Sequence, residues 1–301
     1  MSSKPEAVVR LALIGAGRWG KNFIRTLRGL DGVVLSALCS RHPDSRSLVD
    51  SQCTILHDWH DLLDGNLCDG VIVASPPDTH AEILGTMIRA HMPSMVEKPL
   101  TLELQEALDL QQLLRQAPTP VLVDHTYLFH PAYREMKRLS SQLGPIRSIQ
   151  SEGGNHGPFR PNYTALWDYG PHDISMCLDL MSKTPQSVTC RASETNQGGN
   201  YECDLLFSGN VRASIKVGNL AAAKIRIFTV RHDGHVLTFD DLSPHKLRLD
   251  GTPITVAEKL PLTVAVETFA NGIRHGTTEG FGLDLAVEVV RTLHAAQQSL
   301  H

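Results

Sequence analysis

Leu11-Ala12-Leu13-Ile14-Gly15-Ala16-Gly17-Arg18-Trp19-Gly20 is the stretch whose reading decides the fold. The apolar run Val8–Ile14 reads as a buried strand that stops at Gly15. Gly17 and Gly20 complete the spacing G-x-G-x-x-G, and Lys21–Leu30 follows with Phe23, Ile24, Leu27 and Leu30 at helical intervals. Strand, glycine turn and helix in that order predict dinucleotide binding; the other reading is a glycine-rich turn in a structural β-α unit. Gly15 permits the tight turn, Gly17 keeps side-chain atoms away from a pyrophosphate, and Gly20 lets the helix lie close to the strand. The helix is expected over Trp19–Leu30, just after Arg18, and its N-terminus offers N–H groups and partial positive charge to phosphates.

Further strands are predicted at Val33–Cys39, Thr54–Leu56, Gly70–Ala74, Ser94–Val96 and Val121–Val123. Helical patterns separate them, at Ser45–Ser51, Trp59–Leu63, Thr79–Ala90 and from a cap at Thr101 to about Gln116. Strands that alternate with helices pair in parallel through right-handed crossovers. The expected class is α/β, with an N-terminal Rossmann doubly wound parallel sheet over residues 1–123.

Residues 124–301 read differently. Helices are predicted at Pro131–Leu143 and Pro171–Met181, a strand at Ile146–Ser151, and an irregular stretch at Glu152–Tyr163. Strand-like segments then dominate, at Ser187–Ser193, Tyr201–Phe207, Val211–Val217, Lys224–Val230, Val236–Asp240 and Lys246–Leu249. The turns Ser208-Gly209-Asn210, Asp233-Gly234 and Asp250-Gly251 are hairpin signals. They predict a C-terminal α/β domain with a large, mainly antiparallel open sheet, closed by helices at Thr263–Arg274 and Ala286–Ser299. One face of such a sheet needs cover, which predicts a homodimer or homotetramer through that sheet; the alternative is a polar face turned to water.

With 301 residues the chain has room for about two domains, and its net charge is −4. No Lys/Arg cluster points to nucleic acid or an acidic membrane. No apolar run reaches the ~18 residues of a membrane span. Residues 1–6 are expected to fray and carry no secretory pattern. The six cysteines form neither C-x-x-C nor a zinc spacing, which predicts reduced thiols in a cytoplasmic protein and no metal site.

About 20 positions beyond the glycines, an acidic residue ordinarily receives the ribose 2′-hydroxyl. Here that place holds Ser40, followed by Arg41. A hydroxyl and a guanidinium suit a 2′-phosphate, so NADP(H) is favoured over NAD(H). The alternative leaves Arg41 solvated and the ribose held by Asp44 or by backbone.

Two short constellations remain. Glu97-Lys98-Pro99 follows the fifth strand, at the carboxyl edge where parallel sheets bind ligands. Asp168-Tyr169-Gly170-Pro171-His172-Asp173 places Asp168 and His172 four residues apart around an expected helix start. A helix N-terminus favours the Asp anion and a neutral imidazole, which can accept a proton near neutral pH. Taken alone, the second stretch is equally a capped helix with a polar first turn.

Together these pieces resemble the glucose-fructose oxidoreductase / inositol dehydrogenase family (Gfo/Idh/MocA). The resemblance rests on Gly15–Asn22, Val73-Ala74-Ser75-Pro76-Pro77-Asp78-Thr79-His80-Ala81, Glu97-Lys98-Pro99-Leu100, Asp168-x-Gly-x-His172 and the closing Val289–Ser299. It implies hydride transfer between a nicotinamide cofactor and a carbon of a sugar, nucleotide-sugar or cyclitol. It implies catalytic roles for Lys98, Asp168 and His172, with His172 as base, Lys98 bonding the substrate oxygen, and Asp168 orienting His172 or the substrate or joining a proton relay. Ser75, Pro76, His80, Glu97 and Lys98 join the expected cofactor-binding set. The acidic residue after the second strand is missing from the pattern, and the second half is short for the family. Asn155, Arg160 and Tyr163 lie in a segment that either walls the substrate or forms a surface loop, with Arg160 suited to a phosphate or carboxylate. Two alternatives remain open: reduction of a non-sugar substrate on the same scaffold, and a non-catalytic nucleotide-binding regulator.

Overall fold

In a computed structural model, residues 7–276 and 281–300 are described; the fraying expected for residues 1–6 lies outside them. The chain divides into two compact units, Met1–Asp124 with Leu262–Asp284, and His125–Pro261 with Leu285–His301.

The first unit is built on β1 (Val9–Ile14), α1 (Arg18–Arg28), β2 (Val33–Cys39), β3 (Thr54–Leu56), β4 (Gly70–Val73), α2 (His80–Arg89), β5 (Ser94–Glu97), α3 (Leu104–Gln116) and β6 (Val121–Asp124). The six strands pair in parallel in the order β3-β2-β1-β4-β5-β6. That is the doubly wound arrangement, and its order reverses between β1 and β4. β4, β5 and β6 are buried along their whole length, as a sheet covered on both faces requires. The stretches at Pro43–Leu48 and Trp59–Leu62 are 3-10 turns rather than α-helices. Each is opened by a side chain, His42 or Asp58, that accepts a backbone N–H. Thr101 does not cap α3: its hydroxyl donates to the Glu103 carbonyl, and the helix starts at Leu104.

A later segment completes this unit. Helix α6 (Pro261–His275) brings Phe269 and Ile273 against β4. A Cβ on Gly70 would stand 2.6 Å from Ile273 Cδ1. Arg274 donates to the carbonyls of Ala7 and Gly32, at the start of β1 and beside β2.

The second unit contains α4 (Pro131–Ser140), β7 (Ile146–His156), α5 (Ala165–Met181), β8 (Ser187–Glu194), β9 (Gly199–Phe207), β10 (Val211–Gly218), β11 (Leu220–His232), β12 (Val236–Asp240), β13 (Leu247–Leu249), β14 (Thr252–Ile254) and α7 (Asp284–Gln298). The strand order is β14-β13-β12-β11-β7-β10-β9-β8. All pairs are antiparallel except β7 with β10. The hairpin turns follow from residues in left-handed backbone: Gly209 and Asn210 between β9 and β10, Asp250 and Gly251 between β13 and β14. Alternate residues of β9, β10, β11 and β12 are buried, among them Phe207, Phe228 and Phe239, each with no exposure. Such a ring contributes about 1.5–3 kcal/mol by burial. The opposite face carries charge, including a Lys216–Glu202 pair at 3.0 Å across β9 and β10.

Three expectations are corrected here. β7 runs on through Glu152–His156, because those residues pair with both β10 and β11. Helix α5 begins at Ala165, six residues before Pro171, so Pro171 sits inside the helix. Packing decides this: Trp167 bonds Gln297 of α7, and Gly170 admits Leu293 of α7. Cys190 and Cys203 are disulfide-bonded rather than reduced. They stand directly opposite in the β8–β9 register, a neighbourhood that linear spacing hides. Cys39, Cys53, Cys68 and Cys177 are free and buried.

Candidate active site

The first unit supplies a cradle. Gly15 has φ +101°, and a Cβ there would lie 2.6 Å from the Ala74 carbonyl oxygen. A Cβ on Gly20 would lie 2.0 Å from the Gly15 carbonyl oxygen, so turn and helix touch backbone to backbone. At Gly17 the same construction meets no atom within 4 Å. Gly17 is the N-cap of α1, no side chain caps it, and the first turn holds no acidic residue. Open space at a helix N-terminus with bare N–H groups fits a dinucleotide pyrophosphate. Arg18 is exposed and Trp19 half-buried beside it.

Beyond β2, Ser40 is nearly buried and its hydroxyl accepts the His42 N–H at 3.2 Å, while Arg41 is exposed. After β4, the Ser75 hydroxyl meets that of Thr79 at 2.6 Å, and Pro76 is exposed. His80 is fully buried at the start of α2. Its Nδ1 lies 2.9 Å from the Pro99 carbonyl and its Nε2 3.0 Å from that of Ser75. The imidazole thus braces the loops after β4 and β5 from within. Burial pushes His80 below its ordinary value, and the two carbonyls oppose that. It supports Lys98, which is 7% exposed and joined to Pro99 by a cis peptide bond. Glu97, the last residue of β5, is 4% exposed.

The second unit holds Asp168 and His172 on one face of α5, four residues apart. Asp168 lies in the first turn of α5. His172 is a turn further in, so the expected helix-end effect on its ring does not apply. Its Nδ1 is buried. Arg160 Nε stands 3.4 Å from Asp168 Oδ2. The loop that carries Arg160 is tethered: Tyr169 donates to the Gly157 carbonyl at 2.6 Å and Asn219 Nδ2 to that of Pro158 at 3.1 Å. Asn155 lies in β7 before the loop and Tyr163 within the loop, both half-buried.

Three further side chains support His172. The Tyr127 ring meets the imidazole edge to face at 5.1 Å. The Arg226 guanidinium lies over the Tyr127 ring at 4.6 Å and pairs with Asp173 at 2.6 Å. That ion pair is buried, with side-chain exposures of 4% and 0%. Gly153 makes the space, since a Cβ there would lie 2.6 Å from Arg226 Nη1. These groups escaped the sequence reading. The available signal was parity: Arg226 shares the phase of buried Phe228 and Val230 on β11. Among the described residues no group of His, Cys, Asp and Glu is arranged to hold a metal ion, and no helix is long and apolar enough to cross a membrane.

The family model of Gfo/Idh/MocA proteins, an oxidoreductase family with an NAD-binding Rossmann fold, matches residues 9–125. A crystal structure from Magnetospirillum magnetotacticum, of a protein provisionally classed as an oxidoreductase, is 40% identical, with TM-score 0.91 over 96% of this chain and 100% of that one. The chain belongs to the Gfo/Idh/MocA family. A second member, inositol 2-dehydrogenase 2 of Saccharopolyspora erythraea, is 28% identical over 200 residues, 64% of this chain and 58% of that protein. Against the first three curated Gfo/Idh/MocA relatives, the match spans 58% to 64% of their lengths. The fold is shared by UDP-N-acetylglucosamine 3-dehydrogenase of Acidithiobacillus ferrooxidans, 18% identical, with TM-score 0.84 over 97% of each chain.

Proposed function

We propose that this chain is a nicotinamide-dependent dehydrogenase or reductase. Its substrate is a secondary alcohol or ketone carbon of a sugar, nucleotide-sugar or cyclitol. The observation that carries this reading is the cradle: Gly17 faces open space at an uncapped helix N-terminus, with Gly15 and Gly20 packed backbone to backbone beside it. Residues of that cradle bind the cofactor's phosphates, and the nicotinamide supplies hydride acceptance or donation.

The chain's own residues do the rest. Lys98 donates a hydrogen bond to the substrate oxygen and stabilises negative charge that develops there. His172 takes the alcohol proton at Nε2, since Nδ1 is buried, and returns it in the reducing direction. Asp168, in the first turn of α5, holds Arg160 toward an anionic or polyhydroxyl group of the substrate. A panel of keto-sugars, inositols and nucleotide sugars mixed with NADPH or NADP+ tests the reading by nicotinamide absorbance. Tight cofactor binding with no turnover on any of them overturns it in favour of a regulator.

NADP(H) is the preferred nucleotide in this reading. Arg41 is exposed at the end of β2, and no carboxylate occupies the position of Ser40. The expected result is that Arg41→Ala weakens NADPH by about tenfold, one charge-assisted contact, and leaves NADH unchanged. Equal losses for both nucleotides, measured by fluorescence titration, sink the preference.

The open sheet is proposed as the surface through which copies of the chain associate. Light scattering checks it: a mass of two or four chains is expected, and a single-chain mass at micromolar concentration refutes it.

A further inference from the structure

β7 lies between β10 and β11 in the sheet, and Asn219 is the single residue between those two strands in the chain. The chain therefore crosses the end of β7 at Asn219. There the segment 157–164 leaves β7 and leads to α5, carrying Arg160. Pro158 and Pro161 have no N–H to donate, and 157–164 lies outside every helix and strand. Its order comes from the segments it touches.

Asn219 is 3% exposed. Its backbone N–H donates to the Gly199 carbonyl at 3.1 Å, and its own carbonyl accepts the Gly157 N–H at 2.9 Å. On the side chain, Oδ1 accepts the Gly199 N–H at 2.9 Å and Nδ2 donates to the Pro158 carbonyl at 3.1 Å. Asn219 thus ties the first residues of the segment to the start of β9. A carboxylate of the same shape has the acceptor and lacks the donor.

The residues around this tie are seated as well. Tyr169 of α5 donates to the Gly157 carbonyl at 2.6 Å. The Phe159 ring meets His156 edge to face at 5.5 Å, and a Cβ on Gly198 would lie 2.9 Å from its Cε1. Arg160 follows, with Nε 3.4 Å from Asp168 Oδ2 and its side chain 33% exposed.

We propose that Asn219 is a positioning residue for substrate binding: it fixes residues 157–159 so that Arg160 stands beside Asp168 before substrate arrives. A recognition group ordered in advance loses little freedom on binding, which tightens the complex. The assignment of Arg160 to the substrate rests on the function proposed above; the tether itself does not.

Asn219→Asp tests it. The ionised carboxylate keeps the acceptor for Gly199 and turns an oxygen toward the Pro158 carbonyl. Hydrogen exchange of the whole protein, read by mass spectrometry, reports the tether without any substrate. Amides of 157–164 are expected to exchange about tenfold faster in Asn219→Asp than in the wild type, while those of β12 and α4 keep their rates. Tyr169→Phe, which deletes one hydroxyl, is expected to speed the same amides and takes the place of Asn219→Asp in both measurements should that variant fail to fold. Unchanged exchange in the folded variants overturns the proposal.

Kinetics carry the link to substrate. Turnover is measured with NADPH or NADP+ on the keto-sugars, inositols and nucleotide sugars of the panel above. Asn219→Asp is expected to raise KM about tenfold and to leave kcat unchanged. In an Arg160→Ala background the same substitution adds nothing further to KM, because the group it positions is gone. A KM unmoved in Asn219→Asp, or raised as far again on top of Arg160→Ala, overturns the proposal and leaves the function standing. Faster exchange with no turnover on any member of the panel overturns the function proposed above and leaves the tether standing.

Discussion

His172→Ala lowers kcat by about 10²–10⁴-fold, the range over which a positioned general acid-base acts. NADPH affinity stays where it was, because no part of the glycine cradle depends on that ring. Lys98→Met produces a loss of similar size, since it removes the donor that meets charge on the substrate oxygen. Stopped-flow measurement of the nicotinamide signal, with affinity taken from fluorescence, separates binding from chemistry. A His172→Ala enzyme that turns over at the wild-type rate removes the base from the proposed mechanism. A matching result for Lys98→Met removes the reading of the turn after β5.

Arg226→Met carries the largest expected effect on stability. The substitution leaves Asp173 as an uncompensated carboxyl at zero exposure, which costs about 3–5 kcal/mol. Replacing both partners, Asp173→Asn with Arg226→Met, recovers much of that loss, because the stranded charge is gone. Denaturant midpoints of the two single variants and the double variant measure the coupling. Arg226 also lies over the ring of Tyr127, which meets His172. The double variant therefore regains stability yet turns over more slowly than the wild type. Equal stability for Arg226→Met and wild type would show that this pair is unimportant to the fold.

The part of the fold that reads directly from the chain is the part imposed by local backbone. Gly15 makes the turn and Gly20 the close helix approach that their spacing suggests, and the strand and helix around them follow within a residue or two. The hairpins at Gly209-Asn210 and Asp250-Gly251 are legible for the same reason, since a left-handed backbone leaves a compositional trace. What stayed hidden depends on partners distant in sequence. Pro171 looked like the first residue of a helix, but Trp167 and Gly170 pack on α7 and extend α5 a turn and a half upstream. Cys190 meets Cys203 only once register is known. Arg226 is a charged residue in a strand and invites a solvent-facing reading; the notch at Gly153 and the carboxylate of Asp173 let it point inward.

Helix α6 belongs to the first unit although it lies between two segments of the second in sequence, and that has a bearing on how such chains can be taken apart or recombined. A fragment cut after Asp124 forfeits the helix that seals β4 with Phe269 and Ile273, and an oily strip is laid bare. Grafting a foreign second unit onto this first unit accordingly takes three junctions, near Asp124, Leu262 and Asp284. A shuffling event with a single crossover yields a hybrid that lacks its own lid of side chains and is prone to clump.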